Sequence, residues 1–196
     1  MAWERQMVSA RQTGSAAQAG NLIRLAPFET RPELSGFSCS VRVRCVPPGL
    51  LLQYAVKGPL RQLIIPAAAR MPGHTAGLWR TTCLECFVRG GNGDRYTEWN
   101  FSPSGNWWAC AFDGYRKAAG QQPGGLRPVR LRARLDETCM VMQAALVLAP
   151  GRVHIDPAVI LKHADGRFSH WAGAHPCGRP DFHRPSGMGF SVQVHG

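Results

Sequence analysis

Two glutamates, an asparagine and a cluster of aromatic rings fall within one stretch, Leu78 to Arg116. Glu85, Glu98 and Asn100 supply two carboxyls and an amide, groups that accept from and donate to hydroxyls. Four of the six tryptophans and two of the three tyrosines lie in the same stretch. An indole or phenol ring covers the apolar C–H face of a sugar ring. Acids are scarce, twelve in all, yet four of them lie between Glu85 and Asp113. Such a set on a concave face suits a polyhydroxylated ligand.

The same carboxyls admit two other readings. A retaining glycosidase needs its pair about 5–5.5 Å apart, a spacing that neighbouring strands provide. No catalytic motif accompanies the pair, and nothing in the sequence marks one as a raised-pKa acid, so binding is favoured over hydrolysis. The plainest alternative is that both glutamates are ordinary partners of the many arginines.

The elements that must position these residues read as short strands. Cys83–Val88 and Tyr96–Phe101 alternate, joined by the Gly/Asn-rich loop from Arg89 to Arg95, and Ser102–Gly105 turns the chain into Trp107–Phe112. In simple register this meander carries Glu85, Phe87, Tyr96, Glu98, Asn100 and Trp107 on one face. Trp99, Phe101 and Trp108 then belong to the core. The expected binding set is Glu85, Glu98 and Asn100 for hydroxyls, with Trp107 and Tyr96 as walls. Trp79 closes one side, and Arg116 and His175 sit near the rim.

Around this stretch, Leu22–Pro27, Ser38–Cys45, Leu50–Val56, Leu60–Ile65, Leu126–Leu135, Thr138–Leu148, Ala158–Lys162, Ser169–Ala174 and Phe190–Val194 also read as strands. Thr138–Leu148 is apolar on both faces, as a central strand would be, though its Met/Ala/Leu-rich middle also admits a helix. With no sustained helical period, the pattern predicts an all-β sandwich. Residues 1–21 read as a disordered leader and 22–196 as one domain. No apolar run approaches the roughly 20 residues of a membrane span, and residues 1–20 lack the apolar core of a secretory signal. The expected compartment is the cytoplasm, where the seven cysteines stay reduced.

LWRTTCLECFV, YTEWNFSPSGNWWACAFDGYR and DGRFSHWAGAHPCGRPDFHRPSGMGF together resemble the bacterial DOMON-like domain proteins, relatives of DOMON domains and of family-9 carbohydrate-binding modules. LIRLAPFETRP fits the same pattern, so the resemblance spans about Leu22 to Val194. It implies a jelly-roll-like antiparallel β-sandwich, and related domains bind carbohydrate or haem. Two residues depart from the pattern: His170 stands where an aromatic such as Tyr is usual, and Cys86 where an aliphatic residue or Ala is usual.

No cofactor is expected. Cys83 and Cys86 have zinc-knuckle spacing, but on a strand they point to opposite faces. His175, Cys177, Asp181 and His183 are close in sequence, yet serve equally well as anchors of a loop. Met71 and His74 form the one tempting haem-ligand pair among many scattered Met and His. The net charge of +11, and Arg130, Arg132 and Arg134 on one strand face, make nucleic acid or another anionic partner the second choice after a saccharide. No aromatics interleave that ladder, so single-strand stacking is not indicated. The oligomeric state is not legible.

Overall fold

The structure, a computed structural model, describes residues 20–91, 93–120, 125–126, 128, 130–184 and 190–196. The expected leader therefore lies outside the described residues except for its last two. Asn21, the second of these, already opens strand β1 (Asn21–Pro27).

Two sheets form an all-β sandwich. The first has the order β1-β2-β3-β9-β8, with β2 Ser38–Val46, β3 Gly49–Lys57, β8 Arg130–Leu135 and β9 Cys139–Val147. The second runs β7-β6-β5-β4-β10-β11, with β4 Cys83–Gly90, β5 Tyr96–Phe101, β6 Trp107–Gly114, β7 Lys117–Ala118, β10 Gly151–Lys162 and β11 Phe168–Ala172. All strand pairs are antiparallel. Strand β1 belongs to both sheets: Asn21–Leu25 pair with β2, while Ala26 and Pro27 pair with β11. Strand β9, apolar on both faces as its sequence indicates, lies between β3 and β8.

Between the sheets, Val41, Leu50, Leu52, Tyr54, Met140 and Met142 of the first meet Leu84, Cys86, Trp99, Phe101, Val159 and Leu161 of the second. Burying side chains of this size stabilises by roughly 1.5–3 kcal/mol each before chain entropy is charged against it. Alternation then sends Glu85, Phe87, Tyr96 and Glu98 to the outer face of the second sheet, where they are nonetheless buried.

Pro157 sits in the middle of β10, a central strand. On one flank β10 pairs continuously with β4. On the other, Gly151–Ile155 pair with β12 (Phe190–Val194) and Ala158–Lys162 with β11, leaving Asp156 and Pro157 between two partners. A residue without an N–H is tolerated at such an interruption.

Three sequence expectations change. Leu60–Ile65 is not a strand: Pro59 precedes a 3-10 turn over Leu60–Gln62, and the segment contributes one isolated bridge, Leu63 to His163. The strand expected from Leu126 begins at Arg130, with residues 127 and 129 outside the described residues. Its Arg132 and Arg134 are exposed, and the Arg130 side chain is also outside them. Trp108 is not a core residue, and the face of β6 is the reverse of the one expected. Phe101 pairs with Trp107, Asn100 with Trp108 and Glu98 with Cys110, so Trp108, Cys110 and Phe112 share the face of the glutamates. Trp107 and Ala109 pack toward the sandwich interior instead.

Among the described residues no helix is long and apolar enough to cross a membrane. All seven cysteines are free thiols.

Candidate functional site

A cavity of about 370 Å³ lies on the outer face of the second sheet. Its floor comes from Glu85 and Phe87 of β4, Glu98 of β5, Trp108 and Phe112 of β6, Ile160 of β10 and His170 of β11. Two loops make the walls. Gly77, in the left-handed region at φ 82°, turns the chain into a 3-10 turn over Leu78–Arg80, which presents Trp79. From the other side come Pro180, Phe182 and His183. Trp79 and Trp108 meet edge to face, ring centroids 5.5 Å apart.

The two carboxyls are diagonal neighbours, since Glu85 pairs with Asn100 and Glu98 with Phe87. Burial and the Glu98 charge push Glu85 well above the usual carboxylate range, against a smaller opposing pull from Arg116. Burial raises Glu98 too, while the Asn100 hydrogen bond and Arg116 pull it back. The pair therefore divides its roles. Asn100 Nδ2 donates to Glu98 Oε1 at 2.7 Å, which favours the ionised form there. No hydrogen bond among the described residues uses the Glu85 carboxyl, which burial and the neighbouring Glu98 push toward its protonated form, leaving both its oxygens open to the cavity.

A second layer fixes this arrangement. The Arg116 backbone N–H donates to Tyr96 Oη at 3.1 Å, and that hydroxyl lies 2.7 Å from His183 Nδ1. With its oxygen already accepting, the phenol donates to Nδ1, and the network assigns the imidazole proton to Nε2. Nε2 points at Glu98 Oε2 from 3.6 Å, beyond hydrogen-bond length. Burial, followed by the Arg116 charge, lowers His183 to about 4, so the ring is neutral. Arg89 donates to the His183 carbonyl at 2.9 Å and lies over the Tyr96 ring at 4.5 Å.

Arg116 has φ 54°, a left-handed conformation uncommon for a side chain of its size. Its guanidinium is held by Asp181 at 3.0 Å, and Asp181, buried, also accepts from Tyr115. These bonds hold Asp181 below the usual carboxylate range although burial acts the other way. They also tie the segment bearing Phe182 and His183 to the β6–β7 turn.

Of the residues expected from sequence, Glu85, Glu98, Trp79 and Arg116 line the cavity. Asn100 lies fully buried behind Glu98, and Tyr96 forms a second layer, stacked on Phe112 with centroids 4.7 Å apart. Trp107 does not line it; it meets His74 edge to face on the other side of the sheet. His175 is not among the lining residues; it donates to the Ala26 carbonyl at 2.9 Å, and its ring lies 6.5 Å from that of the lining Phe182. Sequence reasoning put Phe87 on the face of the glutamates without naming it in the binding set, and did not place Trp108, Phe112, Ile160, His170, Pro180, Phe182 or His183 at the site. The closely spaced Asp181 and His183 were the available signal, as loop anchors.

Among the described residues, no three His, Cys, Asp or Glu converge as metal ligands would. Met71, which with His74 formed a tempting but coincidental haem-ligand pair in the sequence, is 90% exposed.

No family model matches the chain, and neither does any curated protein. Among solved structures, that of a "putative carbohydrate-binding protein" from Bacteroides uniformis matches at a TM-score of 0.59 and 16% identity. The match covers 89% of this chain and 86% of the other. At that identity what the two chains share is their fold, an antiparallel β-sandwich.

Proposed function

We propose that the chain is a non-catalytic binding protein for a saccharide or sugar-containing molecule, held on the outer face of the second sheet. One observation carries the reading: an open cavity combines a Glu85 carboxyl free of hydrogen bonds among the described residues, a Glu98 carboxyl fixed by the Asn100 amide, and aromatic rings. Glu85 and Glu98 hydrogen-bond hydroxyls, Trp79 and Trp108 cover an apolar sugar face, and Arg116 sits at the rim. Asn100 and Tyr96 act as positioning residues behind them.

Two likenesses support this reading: the shared fold with a protein described as carbohydrate-binding, and the resemblance to DOMON-like proteins. The proposal extends to a single domain over residues 22–196. Its free thiols suit a reducing cytoplasm.

Glu85→Gln/Glu98→Gln tests it. Saccharide binding on a glycan array, followed by calorimetry, is expected with the parent chain and lost in the double variant, with the thermal melt retained. Persistence in the variant, or no glycan bound by the parent chain, overturns the reading.

The exposed Arg132 and Arg134 on edge strand β8 favour, as a second reading, an anionic partner such as nucleic acid. A salt titration separates the two. Phosphate contacts lose affinity steeply with salt, whereas neutral sugar binding is almost indifferent.

A further inference from the structure

We infer, resting on the saccharide reading above, that the ligand is an amino sugar, its ammonium group seated between the Glu85 and Glu98 carboxyls.

The charges around the cavity lead there. From β4 comes Glu85, from β5 Glu98, from the β6–β7 turn Arg116, from β11 His170, and from the 180–184 segment His183. Arg116 is closed onto Asp181 at 3.0 Å, a carboxylate that Arg184 also approaches at 3.6 Å, so among the described residues its guanidinium is bonded away from the two glutamates although its charge still reaches them. Both histidines are half-buried with lowered pKa values, and among the described residues neither a histidine nor an arginine hydrogen-bonds to either glutamate carboxyl. Neutral hydroxyls are bound as well by amides and alcohols, which cost less to bury than acids do. An ammonium group presents three donors and no acceptor. Glu98 Oε2 and both Glu85 oxygens are the acceptors left open, since Asn100 occupies Glu98 Oε1. An ammonium group between the two carboxyls favours their ionised forms, so any proton held there leaves to solvent on binding.

The walls agree with this assignment. Trp79, Trp108, Phe112 and Phe182 line the same cavity, and ring faces attract cations as well as C–H surfaces. The net charge of +11 does not oppose a small cation strongly. Exposed arginines farther away than the Debye length, about 8 Å in physiological salt, are largely screened.

The test compares glucosamine with glucose and N-acetylglucosamine by calorimetry near neutral pH. Glucosamine is expected to bind at least about tenfold more tightly than either neutral sugar, and Glu85→Gln and Glu98→Gln, tested separately, should each erase most of that preference. If one variant does not fold, the other decides. Equal or weaker glucosamine binding, or a preference surviving in the folded variants, overturns this inference and leaves the saccharide proposal standing. If no glycan binds, the saccharide proposal fails first.

Discussion

The hydroxyl of Tyr54 in β3 of the first sheet donates across the sandwich interior to the backbone carbonyl of Glu85 in β4, 2.6 Å away. One buried bond thus links the core to the strand that carries the pocket's Glu85 carboxyl. Tyr54→Phe removes the donor and leaves the ring's packing intact. Unfolding should become easier by about 1–2 kcal/mol, read as a lower denaturant midpoint at unchanged slope. Saccharide affinity should fall with it, because β4 loses a restraint directly beneath Glu85.

Adjacent tryptophans should behave oppositely. Trp108→Ala removes an aromatic ring from the cavity floor and should weaken saccharide binding about tenfold, the worth of one aromatic contact, with a small change in melting. Trp107→Ala opens space against the sandwich core and should cost about 2 kcal/mol of stability. Parallel calorimetry and denaturant melts separate the two effects.

Stability should depend on pH through two groups that burial shifts in opposite directions, the buried Glu85 and the half-buried His183. Glu85 has its pKa raised in the folded state, so its stabilising contribution is complete below the ordinary value of 4.5 and is lost as pH rises from there toward the folded value. Glu85→Gln should flatten that alkaline decline in the thermal melt. His183 is lowered from 6.5 to about 4, so its contribution is complete above 6.5 and lost as pH falls toward 4. His183→Gln should flatten the acid limb. If melts of the parent chain and both variants run parallel across these windows, the assignment of protonation states is wrong.

Asp181 ties Tyr115 and Arg116 to the segment bearing Phe182 and His183. Asp181→Ala should cost about 2 kcal/mol, since a buried acceptor of several donors is lost. It should also raise hydrogen exchange at the Arg116 amide, whose acceptor Tyr96 depends on His183. Arg116→Gly relieves the left-handed strain but removes the ion pair. It should change stability by less than about 1 kcal/mol while lowering saccharide affinity.

Much of the sandwich was legible from alternation. The parity of β4 and β5 follows from Cys83–Val88 and Tyr96–Phe101 alone, and it placed Glu85, Glu98, Phe87 and Trp99 on their correct faces. Strand β6 defeated the same reasoning because Trp107 and Trp108 are both large and apolar, so neither announces its side. The turn decides it: Ser102 N–H bonds to the Asn106 carbonyl, with Gly105 at φ 91° between them, and this spacing sets Phe101 against Trp107. His183 was not legible as a pocket residue because it reaches Glu98 from 85 positions farther along the chain. Only tertiary contacts through Asp181 and Tyr96 bring it there. Leu60–Ile65 has a strand's composition but lies after Pro59, in a connection between the sheets.

The shared flank of β10 has a mechanical consequence. Strand β12 grips only Gly151–Ile155, whereas β11 grips Ala158–Lys162, and Pro157 already breaks the ladder between the two grips. Peeling β12 away would therefore stop at a pre-cut seam. The half of β10 that bears Ile160 would keep β4 and β11 on either side, so the binding face is insulated from fraying at the far end of its own strand.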